Sequence, residues 1–153
     1  MLQAYVTGEA DAWDVVSWAY TVKAELSPNR DAAVEELVGV MDDAFVSAPP
    51  FASEDKITAL LMRMIPGANE VTPIRMKLAF EAERLLKKQL RPLEFCKMVA
   101  EFEAYLLDRA SVECPQWIGD LWNACDWCDE TWMIESASGL KDTVQEFLSA
   151  NDT

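Results

Sequence analysis

An all-α fold is predicted, a single-domain bundle of about six or seven helices over residues 1–153. Three observations lead there. Apolar residues recur at helical spacing in almost every segment. The β-branched residues are scattered, and no Asn-Gly or Asp-Gly hairpin turn occurs. Seven prolines and five glycines fall mostly between the apolar runs, where they punctuate helices. A length of 153 residues suits one domain, and 51% hydrophobic with 26% charged residues suits a real core under an ordinary surface.

Each element has its own signal. "DAWDVVSWAYTVKAEL" puts Trp13, Val16 and Tyr20 on one side, with Val15, Trp18, Val22 and Leu26 adjoining, so the stripe is broad. "SPN" stops this helix and restarts the next, with Pro28 at or near its first position. "RDAAVEELVGVMDDAFV" keeps Val34, Leu37, Val38, Met41 and Phe45 in period until the prolines of "SAPPF" end it. "SEDKITALLMRMI" opens with Ser53 as N-cap and acids in the first turn, ahead of Ile57, Leu60, Leu61 and Met64. After the loop "PGANEVTP", Thr72 is expected to cap a helix that has Pro73 at its first position and ends near Arg91. Glu83 and Lys87 in that helix stand four apart, in the favourable order for a pair. Pro92 opens "PLEFCKMVAEFEAYLLDRA", in which Phe95, Cys96, Val99, Phe102 and Leu106 hold the 3.6-residue period. Pro115 opens another helix, expected to carry Leu121, Trp122, Cys125 and Cys128 on one stripe. "SGLKDTVQEFLSA" is the last, with Leu140, Val144, Phe147 and Leu148.

The formal net charge is −14, from 27 acids and 13 bases. It is uneven: −7 over residues 1–50, +3 over 51–91 and −10 over 92–153. Such a chain repels nucleic acid and anionic membrane, both of which need cationic contacts. It attracts a basic macromolecule and speeds the encounter. The basic middle is expected to be neutralised internally. No run of eighteen apolar residues suggests a membrane helix. The start, "MLQAYVTGEADAWD", lacks the basic-then-apolar order of a secretory signal. Four cysteines in that context point to a cytoplasmic location and free thiols.

Catalytic chemistry is hard to find. Histidine is absent, which removes the usual general base and the commonest neutral metal ligand. There is no Gly-rich phosphate loop and no Gly-x-Ser-x-Gly elbow. Asp42-Asp43 and Glu35-Glu36 read as solvated helix faces. No enzyme activity and no cofactor are therefore expected. Cys125-Asp126-Trp127-Cys128 invites a redox reading, but that needs the first turn of a helix to lower the thiol pKa. Here the pair is expected well inside a helix, beside Asp126 and Asp129, which raise it. A zinc site would have to recruit Cys96 and Cys114, and only one Cys-x-x-Cys is present. Buried, reduced thiols acting as small apolar residues are expected instead.

"PQWIGDLWNACDWCDETW" concentrates four tryptophans. Trp117, Trp122 and Trp132 are expected in the core, with Trp122 in line with Cys125 and Cys128. Asp120, Asn123, Trp127 and Glu130 fall on the other side of the helix, where carboxylates surround an aromatic as they do at an interface anchor. The bland alternative packs Trp127 under the loop "SASG". The candidate partner-binding residues are Asp120, Asn123, Asp126, Trp127, Asp129 and Glu130, with the acids of residues 9–43 as a rival surface.

"PLEFCKMVAEFE" followed by "PQWIGDLWNACDWCDE" resembles a pair of motifs in immunity proteins of bacterial polymorphic and contact-dependent growth-inhibition toxin systems. The matching positions are Pro92, Phe95, Cys96, Glu103, Pro115, Trp117, Gly119, Asp120, Asn123, Ala124, Cys125, Asp126 and Trp127, within residues 92–130, and Cys128 departs from the pattern. The resemblance implies a cytosolic protein that binds one cognate toxin domain and blocks it without catalysis. A nuclease-type toxin fits the charge, because its substrate groove must be cationic. Two other classes stay open: an acidic secretion chaperone or adaptor, and a metal or redox protein built on the thiols.

Overall fold

A computed structural model of the protein describes residues 1–25, 39, 54–109 and 112–150, the side chains of 12, 13, 16, 20, 23–25 and 54–56 excepted. The described residues form seven helices and no strand, so the fold is all-α. In chain order the helices are α1 (Leu2–Thr7), α2 (Ala12–Glu25), α3 (Glu54–Arg63), α4 (Val71–Leu86), α5 (Pro92–Leu107), α6 (Gln116–Ala124) and α7 (Ser138–Ser149). The helix expected over "RDAAVEELVGVMDDAFV" and its flanking stops lie outside the described residues, Gly39 apart, as does the Ser53 cap. Two compact units divide the chain, Met1–Met76 and Lys77–Thr153, with the boundary inside α4.

The first unit begins with the short α1, which the sequence patterns did not reveal. Gly8 closes it at φ 79°, a left-handed position where a Cβ is costly. Asp11 and Asp14 then exchange hydrogen bonds at the start of α2: each backbone N–H donates to the other's carboxylate, at 2.9 and 3.0 Å. α1 packs on α3. Leu2, Val15, Ala19, Ile57, Leu60 and Leu61 form the core, lined by Tyr5, Trp18, Met64 and Met76. Ile57, Leu60 and Leu61 are the stripe that periodicity assigned to this helix.

α4 starts earlier than its Thr-Pro signal suggests. Asn69 takes over the capping: its Oδ1 accepts from the Val71 N–H at 3.0 Å, while Thr72 Oγ1 accepts from the Asn69 N–H at 3.0 Å. Thr72 and Pro73 thus sit inside the first turn, where the missing proline N–H has no partner to lose. At the far end the Gln89 N–H reaches Arg84 O (2.8 Å) and the Lys88 N–H reaches Leu85 O (3.0 Å). This is a Schellman closure with Lys88 at φ 60° in the slot glycine usually fills.

In the second unit α5 packs on α6, and α6 on α7. Phe95, Val99, Leu106, Ile118, Leu121, Leu140 and Val144 are all but sealed from solvent. Pro92 stands at the first position of α5, and the Arg91 N–H donates to Glu94 Oε2 at 3.1 Å, half of a capping box. The basic stretch before α5 is neutralised locally, as its charge pattern suggests. Glu83 holds Lys87 at 3.0 Å, and Glu81, only 4% exposed, is gripped by Lys77 (3.2 Å) and Arg84 (2.8 Å). Lys88 pairs with Glu135. No helix among the described residues is long and apolar enough to cross a membrane.

Candidate functional site

α6 is short because its buried stripe is short. Ile118 and Leu121 face the core, Cys125 caps the C-terminus, and the Cys125 N–H is shared between Leu121 O (3.0 Å) and Trp122 O (3.1 Å). The helix expected to run through both cysteines therefore stops at Ala124. Beyond it the Asp126 N–H donates to Asn123 O (3.2 Å) and the Cys128 N–H to Cys125 O (3.0 Å), which closes a tight turn over Asp126 and Trp127. Trp127 occupies that turn at φ 65°, left-handed space that a bulky side chain rarely enters. Its ring has no buried face to compensate, for the residue is 86% exposed.

All six candidate residues, Asp120, Asn123, Asp126, Trp127, Asp129 and Glu130, are exposed. They do not share one helix face. Asp120 and Asn123 ride on α6, whereas Asp126, Trp127, Asp129 and Glu130 belong to the turn and the segment after it. The bland alternative, Trp127 packed beneath residues 136–139, is excluded by its exposure. Asp129 is not a free carboxylate: its Oδ1 accepts from the Thr131 N–H at 2.7 Å and the Thr131 hydroxyl at 2.5 Å. Those hydrogen bonds hold its pKa below the ordinary aspartate value.

Two exposed apolar residues join the set that sequence reasoning assigned: Trp122 at 43% and Met133 at 60%. Trp122 was expected in the core, and that is corrected. It stands one step around α6 from Leu121, at the margin of the stripe, and once the helix ends at Ala124 nothing further along covers it. Trp117 and Trp132 are half-buried, and Trp117 packs on Phe147 of α7 with ring centroids 5.2 Å apart. From Ala110 to Leu140 the sequence holds six acids and no lysine or arginine. The exposed indoles and thioether thus sit in a stretch of one charge sign.

The expectation of four free thiols is overturned. Cys96, near the start of α5, and Cys125 form a disulfide with Cα atoms 5.4 Å apart. Cys114 and Cys128 remain free and half-buried. Burial first, then the Asp129 carboxylate, raises the Cys128 thiol above its ordinary pKa. For Cys114 the causes are burial and Glu103. Two of the four thiolates a zinc site would need are bonded to each other. Among the described residues no cluster of three or more cysteine, aspartate or glutamate side chains is placed to hold a metal ion. What the arrangement offers chemically is an anchored, negatively charged, aromatic knob, braced by a covalent tie to α5. No protein-family model matches the chain, and no curated protein or solved structure matches it either.

Proposed function

We propose that the protein is an immunity-type inhibitor of the bacterial cytoplasm, a stoichiometric binder that plugs the basic cleft of a cognate toxin domain. The observation that carries this reading is Trp127. It is 86% exposed, held at φ 65° by the turn after α6, and flanked by Asp126 and Glu130 in a stretch without a basic residue. Left-handed backbone at a non-glycine residue is strain, and strain that displays an indole to solvent suits a binding anchor better than a packing element. The carboxylates match a surface that otherwise takes phosphates, so a nuclease-type toxin is the partner favoured by charge. Discrimination between toxins then follows from charge or steric conflicts at the rim. Of the two motifs that resemble those of immunity proteins, the second, residues 115–130, contains this turn.

Co-expression with the product of the adjacent gene tests it. Restored growth and a one-to-one complex on a sizing column are expected. Undiminished toxicity with no complex overturns the proposal.

A further inference from the structure

The turn that presents Trp127 is tied to α5 by one covalent bond, and a free thiol stands three residues along the chain, at the other end of the same turn. Cys125 is joined to Cys96, 29 residues away in sequence. Cys128, free and half-buried, donates its N–H to the Cys125 carbonyl at 3.0 Å. A turn closed in this way brings the Cα atoms of its first and fourth residues to within about 7 Å. Disulfides span Cα separations of roughly 4.4 to 6.8 Å. The Cα spacing of the turn therefore lies in the range a Cys125–Cys128 bond would need, while Cys125 is already bonded to a cysteine on another helix.

We propose that Cys96, Cys125 and Cys128 form an intramolecular thiol–disulfide exchange device, in which the inter-helix Cys96–Cys125 bond trades places with a local Cys125–Cys128 bond. Cys128 gives its proton to solvent, and the thiolate attacks Cys125 Sγ. The new S–S bond forms as the old one breaks, and Cys96 leaves as a thiolate that takes a proton from solvent. One disulfide exists before and after, so no oxidant or reductant is consumed. The raised Cys128 pKa slows the attack, since only the thiolate reacts. The two states differ in what they constrain. The long tie fixes the end of α6 on α5, whereas the local one closes only the turn. Trp127 lies inside the local ring, so the exchange reshapes the surroundings of the indole directly. In a reducing cytoplasm a disulfide is usually of this exchangeable, sensing kind.

The device belongs to the isolated chain and stands whether or not the site meets a toxin. Its test uses the full-length protein, oxidised and then equilibrated across ratios of reduced to oxidised glutathione, quenched in acid, alkylated and peptide-mapped. The oxidised protein is expected to carry Cys96–Cys125. Wherever the protein is not fully reduced, a second population should accompany it in constant proportion, since the two forms share one oxidation state, with Cys125 linked to Cys128, Cys96 alkylated and a tryptophan emission distinct from that of Cys128→Ser. Cys128→Ser should abolish that population and keep Cys96–Cys125. Absence of Cys96–Cys125 from the oxidised protein overturns the inference. So does a wild type that passes straight to the fully reduced form with no Cys125–Cys128 at any ratio. Toxin rescue plays no part in this readout, so the two proposals fail separately.

Discussion

Trp127 separates two roles by the sign of a stability change. A non-glycine residue in left-handed backbone costs about 1–2 kcal/mol, and an exposed indole recovers little of it by burial. Trp127→Gly is therefore expected to raise unfolding stability by about 1 kcal/mol in urea titrations. The same change should weaken the proposed toxin complex, because truncating an interfacial aromatic costs about 2 kcal/mol or more, roughly thirtyfold in Kd. A loss of stability in Trp127→Gly would make the indole a packing residue and move the interface elsewhere. Asp129 acts differently, by shaping the segment that follows. Its folded pKa is lowered by Thr131, so its stabilising contribution is present above the unfolded value and fades as pH falls through the folded one. The window lies below the ordinary aspartate pKa of 3.8. Amide exchange at Thr131, followed by NMR, should stay protected at pH 5 and lose protection toward pH 3 in wild type. Asp129→Ala should lack that protection at both. The exposure of these residues was legible in the sequence, since acids crowd the tryptophan. The turn was not: residues 125–128 hold no glycine, asparagine or proline, and Asp126 is their one turn-favouring residue.

At the scale of elements, α6 is seated between α5 and α7 by two buried residues, Ile118 and Leu121. Leu121 is fully buried in a helix of nine residues, and Leu121→Ala should cost about 2–5 kcal/mol, read as a lower urea midpoint. Such a loss would abolish presentation of Trp127 without touching it. The helix is too short to persist alone, so its end is set by packing and by the Cys125 tie rather than by propensity. That is why periodicity carried it several residues too far. α2, α3, α5 and α7 were legible because their stripes run long enough for the period to show. α1 was not, having only six residues. The start of α4 shifted because Asn69 competes with Thr72 for the cap. The end of α4 offers a cleaner case, where two small terms oppose each other. Lys88→Gly relieves left-handed strain of about 1 kcal/mol and removes an exposed pair with Glu135 worth about 0–1 kcal/mol. Stability should move by no more than about 1 kcal/mol, and toward the stabilised side at high salt, where the pair is screened.

For the whole molecule, the charge of −14 decides how a partner is met rather than how the chain folds. Its all-helical class was legible from periodicity together with the missing strand signals and the proline and glycine punctuation, whereas none of these states which acids would meet the proposed partner. Ionic strength can. At physiological salt the Debye length is about 8 Å, so carboxylates beyond that distance from the interface hardly affect association. Asp126→Asn with Glu130→Gln keeps shape and removes charge from the turn. Asp11→Asn with Asp14→Asn does the same at the cap of α2, in the other unit, and the amide oxygens still accept the capping hydrogen bonds. With the proposed partner, the toxin domain encoded by the adjacent gene, in stopped flow at about 0.15 M salt, the first pair should lower the association rate and flatten its dependence on salt, while the second leaves both near wild type. The reverse ranking would place the interface among the acids of residues 9–43. Because a rim charge acts mainly on association and a buried anchor on dissociation, Trp127→Ala in the same experiment should raise the off-rate instead. A variant that changed only the on-rate would mean that the indole touches no partner.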